Sequence, residues 1–295
     1  MRGEIDSPIA IDEIKKFIAA QELTASGRFV PKKHHDYSNI KVAVVGSGPA
    51  GLSCAYYLAL DGYSVTVFEK EQQLGGMLTL GVPAFRLEKD VIDAEIAIIR
   101  ELGVEFKTGV EVGKDVSLDA LRKQGYAAFY VAIGAQGGRA LGVEGEDAKG
   151  VVSGIEFLRR VNAGENAKLS GKTVVIGGGN VAVDVARTAV RSGASEVTMV
   201  CLESRKEMPA SEEEIAEAEE EQISIDNGWG PKRILSETGK VTGVEFKRCT
   251  TVFNAEGRFA PQYDENDTMV VPADAVLVTI GQSILWGDLL AGCDA

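Results

Sequence analysis

Two short glycine-rich segments carry the chemistry most open to reading in this chain. They are Gly46-Ser-Gly-Pro-Ala-Gly51 and Gly177-Gly-Gly-Asn-Val-Ala182. In such a segment the first glycine lets the chain turn sharply out of a strand. The second has no Cβ and lets a pyrophosphate approach the backbone. The third permits close packing of helix on strand. The phosphates then meet the free N–H groups and the positive dipole end of the helix that follows. Gly46, Gly48, Pro49, Ala50 and Gly51 form one candidate cradle. Gly177, Gly179, Asn180, Val181 and Ala182 form a second, with Ala182 in the third-glycine place, a substitution the pattern allows. Glu69, followed by Lys70, ends the strand after the first turn, where a carboxylate accepts hydrogen bonds from a ribose.

The surrounding elements must hold those turns. Lys41-Val-Ala-Val-Val45 is a continuous apolar run of the kind found in buried parallel strands. A helical pattern over 52–60 follows the turn, Gly62 ends it, and Ser64 to Glu69 reads as the next strand. The same order recurs with a strand over 172–176, a helix over 183–192 and a strand over 196–202. One supersecondary unit is used twice. Ahead of them, residues 8–22 read as a helix capped by Ser7, with Pro8 in its first turn, and 24–39 as a linker. Ser211-x-x-Glu214 is a capping box opening the acidic run Glu212 to Glu221, read as a solvated helix face. Residues 240–248 and those from 257 onward read as strands of a β-meander.

Composition narrows the function. The 295 residues carry a net charge of −13, which repels nucleic acid and anionic membrane. No apolar stretch has the length of a bilayer-spanning segment. The four cysteines, at 54, 201, 249 and 293, include no C-x-x-C pair. That fits a reducing cytoplasm and argues against a disulfide framework, a zinc site or an iron–sulfur site built by this chain alone. His34 and His35 have no partners at ligand spacing and read as linker residues.

Several further segments are specific. Leu74-Gly-Gly-Met77, Gly81-Val-Pro-Ala-Phe-Arg-Leu87, Ala132-Ile-Gly134, Gly177 to Arg187, Glu207-Met-Pro-Ala210 and Val276 to Gly281, with the first turn and Glu69-Lys70, closely resemble the glutamate synthase small (beta) subunit. The wider group includes the flavin half of dihydropyrimidine dehydrogenase and the large subunit of the ferredoxin–NADP transhydrogenase. The resemblance implies an α/β fold of two doubly wound, Rossmann-like dinucleotide-binding domains, the NAD(P)-binding one inserted into the FAD-binding one. The expected division is an N-terminal helix and linker over 1–37, an FAD domain over 38–150 plus 274–295, and an NAD(P)H domain over 151–273. By the same resemblance, Gly46, Gly48, Ala50 and Gly51 would hold the FAD pyrophosphate and Glu69 its ribose. Gly76, Met77 and Arg86 would approach the riboflavin and Val112 the adenine. Ala132 to Gly134 would be the crossover between domains. The second turn would hold the NAD(P)H pyrophosphate, and Gly281 would lie near the flavin–nicotinamide boundary. Phe85 reads as packing, and Asp184 with Arg187 as a local pair one helical turn apart.

The choice between NADH and NADPH rests on Glu203, Arg205 and Lys206. The two cations could bind a 2′-phosphate, whereas Glu203 is placed to bind a free 2′-hydroxyl and repel a phosphate. The balance favours NADPH, with NADH as the alternative. The implied activity is hydride transfer between NAD(P)H and FAD, with electrons then passing to an iron–sulfur or flavin-bearing partner. The cofactors do the chemistry, so no catalytic side chain is assigned. The chain also departs from the group. The upstream cysteine-rich iron–sulfur region is absent, although residues 1–10 resemble the segment just after it, and the second FAD motif expected downstream is missing. The alternative expectation is therefore a nucleotide-binding fragment that is inactive without those ends.

Overall fold

The structure is a computed structural model that describes residues 2, 5–6, 8–25 and 27–291. In chain order the elements begin α1 (Ile11–Thr24), β1 (Tyr37–Val45), α2 (Pro49–Leu60), β2 (Tyr63–Glu69), α3 (Met77–Leu80), α4 (Lys89–Glu101) and β3 (Glu105–Thr108). They continue α5 (Leu118–Lys123), β4 (Tyr126–Val131), β5 (Gly137–Gly138), β6 (Val151–Ser153), α6 (Gly154–Asn162), β7 (Lys172–Ile176), α7 (Asn180–Arg191) and β8 (Glu196–Cys201). The last are α8 (Glu212–Glu220), β9 (Ser224–Asn227), β10 (Trp229–Glu237), β11 (Lys240–Phe253), β12 (Phe259–Pro272), β13 (Ala275–Val278) and β14 (Gln282–Ser283).

The chain divides into two compact units. The first comprises Met1–Gly75, Leu87–Ala132 and Asp288–Ala295; the second comprises Gly76–Arg86 and Ile133–Gly287. The first is built on a parallel sheet of order β3-β2-β1-β4. Its central strand buries Val42 to Val45 completely or nearly so, because it is covered on both faces. Helix α2 contributes Leu52, Ala55 and Ala59 to that core. Helix α4 contributes Ile92, Ile96 and Ile99, the repeat of an amphipathic helix with one apolar stripe. Helix α1 begins at Ile11, with Pro8 ahead of it and Ala10 at the cap position. The proposed cap Ser7 lies outside the described residues. Ile11, Ile14, Phe17 and Ile18 are all exposed.

The second unit has a five-stranded parallel sheet of order β6-β13-β7-β8-β9. Alternate residues of these strands fill two cores. Val175, Met199 and Leu277 pack with α6, α7 and α8. Val174, Ile176, Val200, Val276 and Val278 pack with the antiparallel sheet β10-β11-β12, through Ile234, Val244 and Phe246.

This arrangement differs from the expected division in three segments. Residues 274–287 do not return to the first sheet. Val276 sits between Val151 and Val174, and Leu277 between Val152 and Val175, both almost fully buried in the second sheet, where an apolar strand has partners on both sides. Residues 133–150 and 76–86 also belong to the second unit rather than the first. Among the described residues no helix is long and apolar enough to cross a membrane, and no group of three or more His, Cys, Asp or Glu side chains is placed to hold a metal ion.

Candidate functional site: two glycine turns

The first turn sits between β1 and α2. Gly46 has φ +103, a region that favours glycine, and its N–H donates to Phe68 O at 2.8 Å. A Cβ on Gly51 would lie 1.9 Å from Gly46 O, so this position tolerates no side chain. Gly48 behaves differently. A Cβ there would meet nothing within 4 Å, and its φ of −68 is ordinary. Open space therefore lies in front of Gly48, beside a helix N-terminus whose cap position supplies no side-chain acceptor. The residues here suit a pyrophosphate, because uncapped helix N–H groups are donors in need of an acceptor.

Glu69 is only 3% exposed, and its oxygens are engaged. Oε2 accepts from the Ser47 N–H at 2.8 Å and from the Ser47 hydroxyl at 2.7 Å, while Oε1 accepts from the Glu71 N–H at 2.9 Å. Ser47 Oγ accepts in turn from the Gly75 N–H at 3.1 Å. A carboxylate has about four acceptor positions, so Oε1 retains capacity for a ribose hydroxyl. The same contacts make Glu69 the clasp of the turn. Ser47, fully buried, occupies a variable position of the glycine pattern; its one sequence signal is a hydroxyl where an interior residue is required. Lys70 is exposed, Val112 is buried, and the Ala132 N–H extends the strand ladder by donating to Val45 O.

Gly76, Met77 and Arg86 group with the second unit. Gly76 has φ +55 ahead of α3, and Met77 folds back so closely that its Cε would meet a Cβ on Gly81. Asn162 pins this segment by donating to Leu80 O at 2.9 Å and to Val82 O at 3.2 Å. The Arg86 guanidinium is committed to protein partners: it donates to Asp184 on α7 and Glu214 on α8. Burial pushes the Asp184 carboxyl up, against the pull of Arg86. Phe85 is packing: the Arg191 and Arg187 guanidinium groups lie 4.2 and 4.9 Å from its ring centre. Asp184 and Arg187 are not the expected local pair, because Arg187 binds Glu217 and Glu221 instead. The acidic run is thus only partly a solvated face. Its capping box is present, with Ser211 Oγ accepting from the Glu214 N–H at 3.3 Å. Helix α8, however, pairs with three arginines: Arg86 through Glu214, Arg187 through Glu217 and Arg205 through Glu219.

The second turn follows β7. Gly177 has φ +142, its N–H donates to Val200 O at 2.9 Å, and a Cβ would fall 2.3 Å from Thr279 Oγ1. Gly179 repeats the situation of Gly48: it precedes α7 with no side-chain cap, and a Cβ would meet nothing within 4 Å. Ala182 takes the third-glycine place with its methyl fully buried, so this turn is wider by one methyl. Asn180 Oδ1 accepts from the Ser211 N–H at 3.0 Å, and Gly178 O from the Ala210 N–H at 3.1 Å, which fastens the Met-Pro-Ala segment to the turn.

Gly177, Gly178, Gly179, Asn180 and Val181 line a cleft of about 890 Å³, together with Glu203, Trp229, Tyr263, Thr279, Gly281 and Arg139. The volume is that of a small-molecule site. Trp229, Tyr263 and Arg139 escaped sequence reasoning because they come from the meander and the β5 segment, far from any motif. Val181 is on the cleft wall and partly exposed. Gly134, with φ +65, lies outside that lining. Glu203 is half-buried, and a Cβ on Gly178 would come 3.1 Å from its Oε2. Arg205 is not in the cleft; it pairs with Glu219 at 3.2 Å and lines a neighbouring hollow. Lys206 is exposed. Cys201 is buried, and burial pushes its thiol up to about 12. Burial also raises Cys54 and Cys249. None of these three thiols is poised as a nucleophile or redox centre.

With this geometry in place, comparisons with known proteins agree with one another. A family model described as pyridine nucleotide-disulphide oxidoreductase matches residues 40–284. The NADPH-Fe(3+) oxidoreductase subunit beta of Geobacter sulfurreducens is 40% identical over 288 residues, covering 95% of this chain and 43% of that protein. The glutamate synthase [NADPH] small chain of Escherichia coli is 38% identical over 254 residues, covering 82% of this chain and 54% of that one. Among solved structures, FprA of Mycobacterium tuberculosis in complex with NADPH superposes with a TM-score of 0.71 at 20% identity, over 82% of this chain and 71% of that chain, which speaks to the fold. The chain spans about half the length of the curated relatives it matches.

Proposed function

The chain belongs to the pyridine nucleotide-disulphide oxidoreductase family, a family of FAD- and NAD(P)H-dependent enzymes, and from that premise we propose that it passes a hydride between NAD(P)H held at the second glycine turn and FAD held at the first. The observation that carries this reading is the pairing of Gly48 with Gly179. Each faces open space beside an uncapped helix N-terminus, while a Cβ on Gly51 or Gly177 would strike backbone atoms.

When bound, the flavin and nicotinamide rings supply the hydride chemistry themselves. The chain binds, orients and shields. Gly46, Pro49, Ala50 and Gly51 shape the first cradle, and Glu69 holds it closed through Ser47 while keeping an acceptor position for a ribose. Gly177, Asn180, Val181 and Ala182 shape the second. Gly76 and Met77, followed by the segment that Arg86 clamps, are the residues proposed to reach the riboflavin. Gly281, on the cleft wall with φ +116, is proposed to stand near the nicotinamide end. Val112 is proposed at the adenine of FAD, and Ala132 to Gly134 as the passage between units. No side chain is assigned a proton to move.

The electrons are proposed to leave for an iron–sulfur or flavin-bearing partner. Two relatives support this by name, one the subunit beta of an NADPH-Fe(3+) oxidoreductase and the other the small chain of a glutamate synthase [NADPH].

Equilibrium dialysis against FAD and against oxidised nicotinamide dinucleotide tests the two-cradle reading. The expected result is one FAD and one nicotinamide dinucleotide per chain, bound without competition. Competition for a single site would contradict it.

A further inference from the structure

We infer that this chain prefers NADH to NADPH, and that Glu203 sets the preference by accepting the 2′-hydroxyl of the adenosine ribose. The inference rests on the reading of the second turn as the NAD(P)H cradle and deepens it.

The two turns share one register. In the first, Val45 pairs with Phe68 and the Gly46 N–H donates to Phe68 O; in the second, Ile176 pairs with Val200 and the Gly177 N–H donates to Val200 O. Glu69 and Cys201, the residues after Phe68 and Val200, are therefore equivalent. A buried thiol held neutral is a poor partner for a ribose. Two residues on, Glu203 brings a carboxylate back to the same turn, with Oε2 at 3.1 Å from the Cβ position of Gly178, the equivalent of Ser47. Its backbone is fixed there: its carbonyl accepts from Asn227 Nδ2 at 3.1 Å and from the Gly228 N–H at 3.1 Å.

Glu203 differs from Glu69 in being free to act. Among the described residues it makes no ion pair, and it is half-buried on the wall of the cleft. The nearby cations lie outside the cleft. Arg205 pairs with Glu219 through Nη2 and keeps a buried Nη1 without a partner, and Arg248 stacks over Trp229 at 3.6 Å while donating to Asp267 at 3.0 Å; neither lines the cleft. The one cationic side chain in the lining is Arg139, whose backbone is tied to Gly281 rather than to the Glu203 side of the turn. A 2′-phosphate would bring a second anion against an unpaired carboxylate in a partly desolvated site, whereas a 2′-hydroxyl would donate to it.

Separate calorimetric titrations of the whole chain with NADH and with NADPH test this. NADH is expected to bind about tenfold tighter or better, the size of one close unscreened charge contact. Glu203→Gln, which keeps the shape and removes the charge, is expected to weaken NADH and strengthen NADPH, bringing the ratio towards one. Glu203→Arg is expected to reverse it. Equal affinities or tighter NADPH in the unmodified chain would overturn the inference while leaving the cradle intact, as would an unchanged ratio in Glu203→Gln. Binding of neither nucleotide would overturn both.

Discussion

The two glycine turns are near copies in backbone and opposites in side chain. In the first, the acid is swallowed: Glu69 is buried, clasped by Ser47 and Glu71, and helps to hold the turn together. In the second, the equivalent place is a neutral buried thiol, the serine is a glycine, and the acid two residues later is half-buried and, among the described residues, makes no ion pair. The first turn is also the tighter, because Gly51 touches Gly46 O while Ala182 carries a methyl in the same place. A glycine pattern therefore specifies where phosphates are received. The residues between and after the glycines decide whether the neighbouring carboxylate serves the fold as well as the ligand.

The comparison is most exposed to substitution at the third glycine. Gly51→Ala drives a methyl into Gly46 O and is expected to destabilise the first unit by about 3 kcal/mol or more. The reciprocal Ala182→Gly is expected to cost about 1 kcal/mol, the ordinary helix penalty of glycine. Denaturant titrations of the two variants check this, and similar losses would mean the turns are equally tight. At the second glycines no fold penalty is expected, because the new methyl meets empty space. Gly48→Ala should lose FAD and keep NAD(P)H, and Gly179→Ala should do the reverse. Retained flavin in Gly48→Ala would remove the first turn from the cofactor site.

Ser47→Ala removes the hydroxyl that donates to buried Glu69 and accepts from Gly75. A loss of about 1–3 kcal/mol is expected, the usual cost of leaving a buried polar group unsatisfied. A neutral result would show that Glu69 is not a clasp. The smallest effect concerns Cys201. Its thiol, raised by burial and by the Glu203 charge to about 12, stays protonated in the folded protein well above the ordinary 9.0. Alkylation of Cys201 at pH 9 should therefore proceed only after denaturant is added. Rapid labelling of the native chain would mean that the second turn is more open than the first.

Much of the fold was legible because strand, glycine turn and helix have different periods and no ambiguity at their joins. Both βαβ units could be read from apolar runs ending at Gly46 and Gly177. What could not be read depends on long-range pairing. Val276-Leu-Val278 is apolar enough for any buried strand, and nothing local says that it lies between β6 and β7. The cradles were legible in the glycines, but the cleft wall was not: Trp229, Tyr263 and Arg139 arrive from separate elements. Arg86 is placed by motif near a flavin, and its ion pairs with Asp184 on α7 and Glu214 on α8 could not be read beside that, since a long cation gives no local sign of which carboxylates it will reach.

The central claim is that hydride passes from a nicotinamide dinucleotide to FAD on this chain, and an anaerobic visible spectrum tests it most directly. The purified protein, reconstituted with FAD, is titrated with NADH and then, in a separate sample, with NADPH. The account predicts a protein-bound oxidised-flavin band that bleaches as reductant is added. Flavin that binds but stays oxidised under either nucleotide would contradict it.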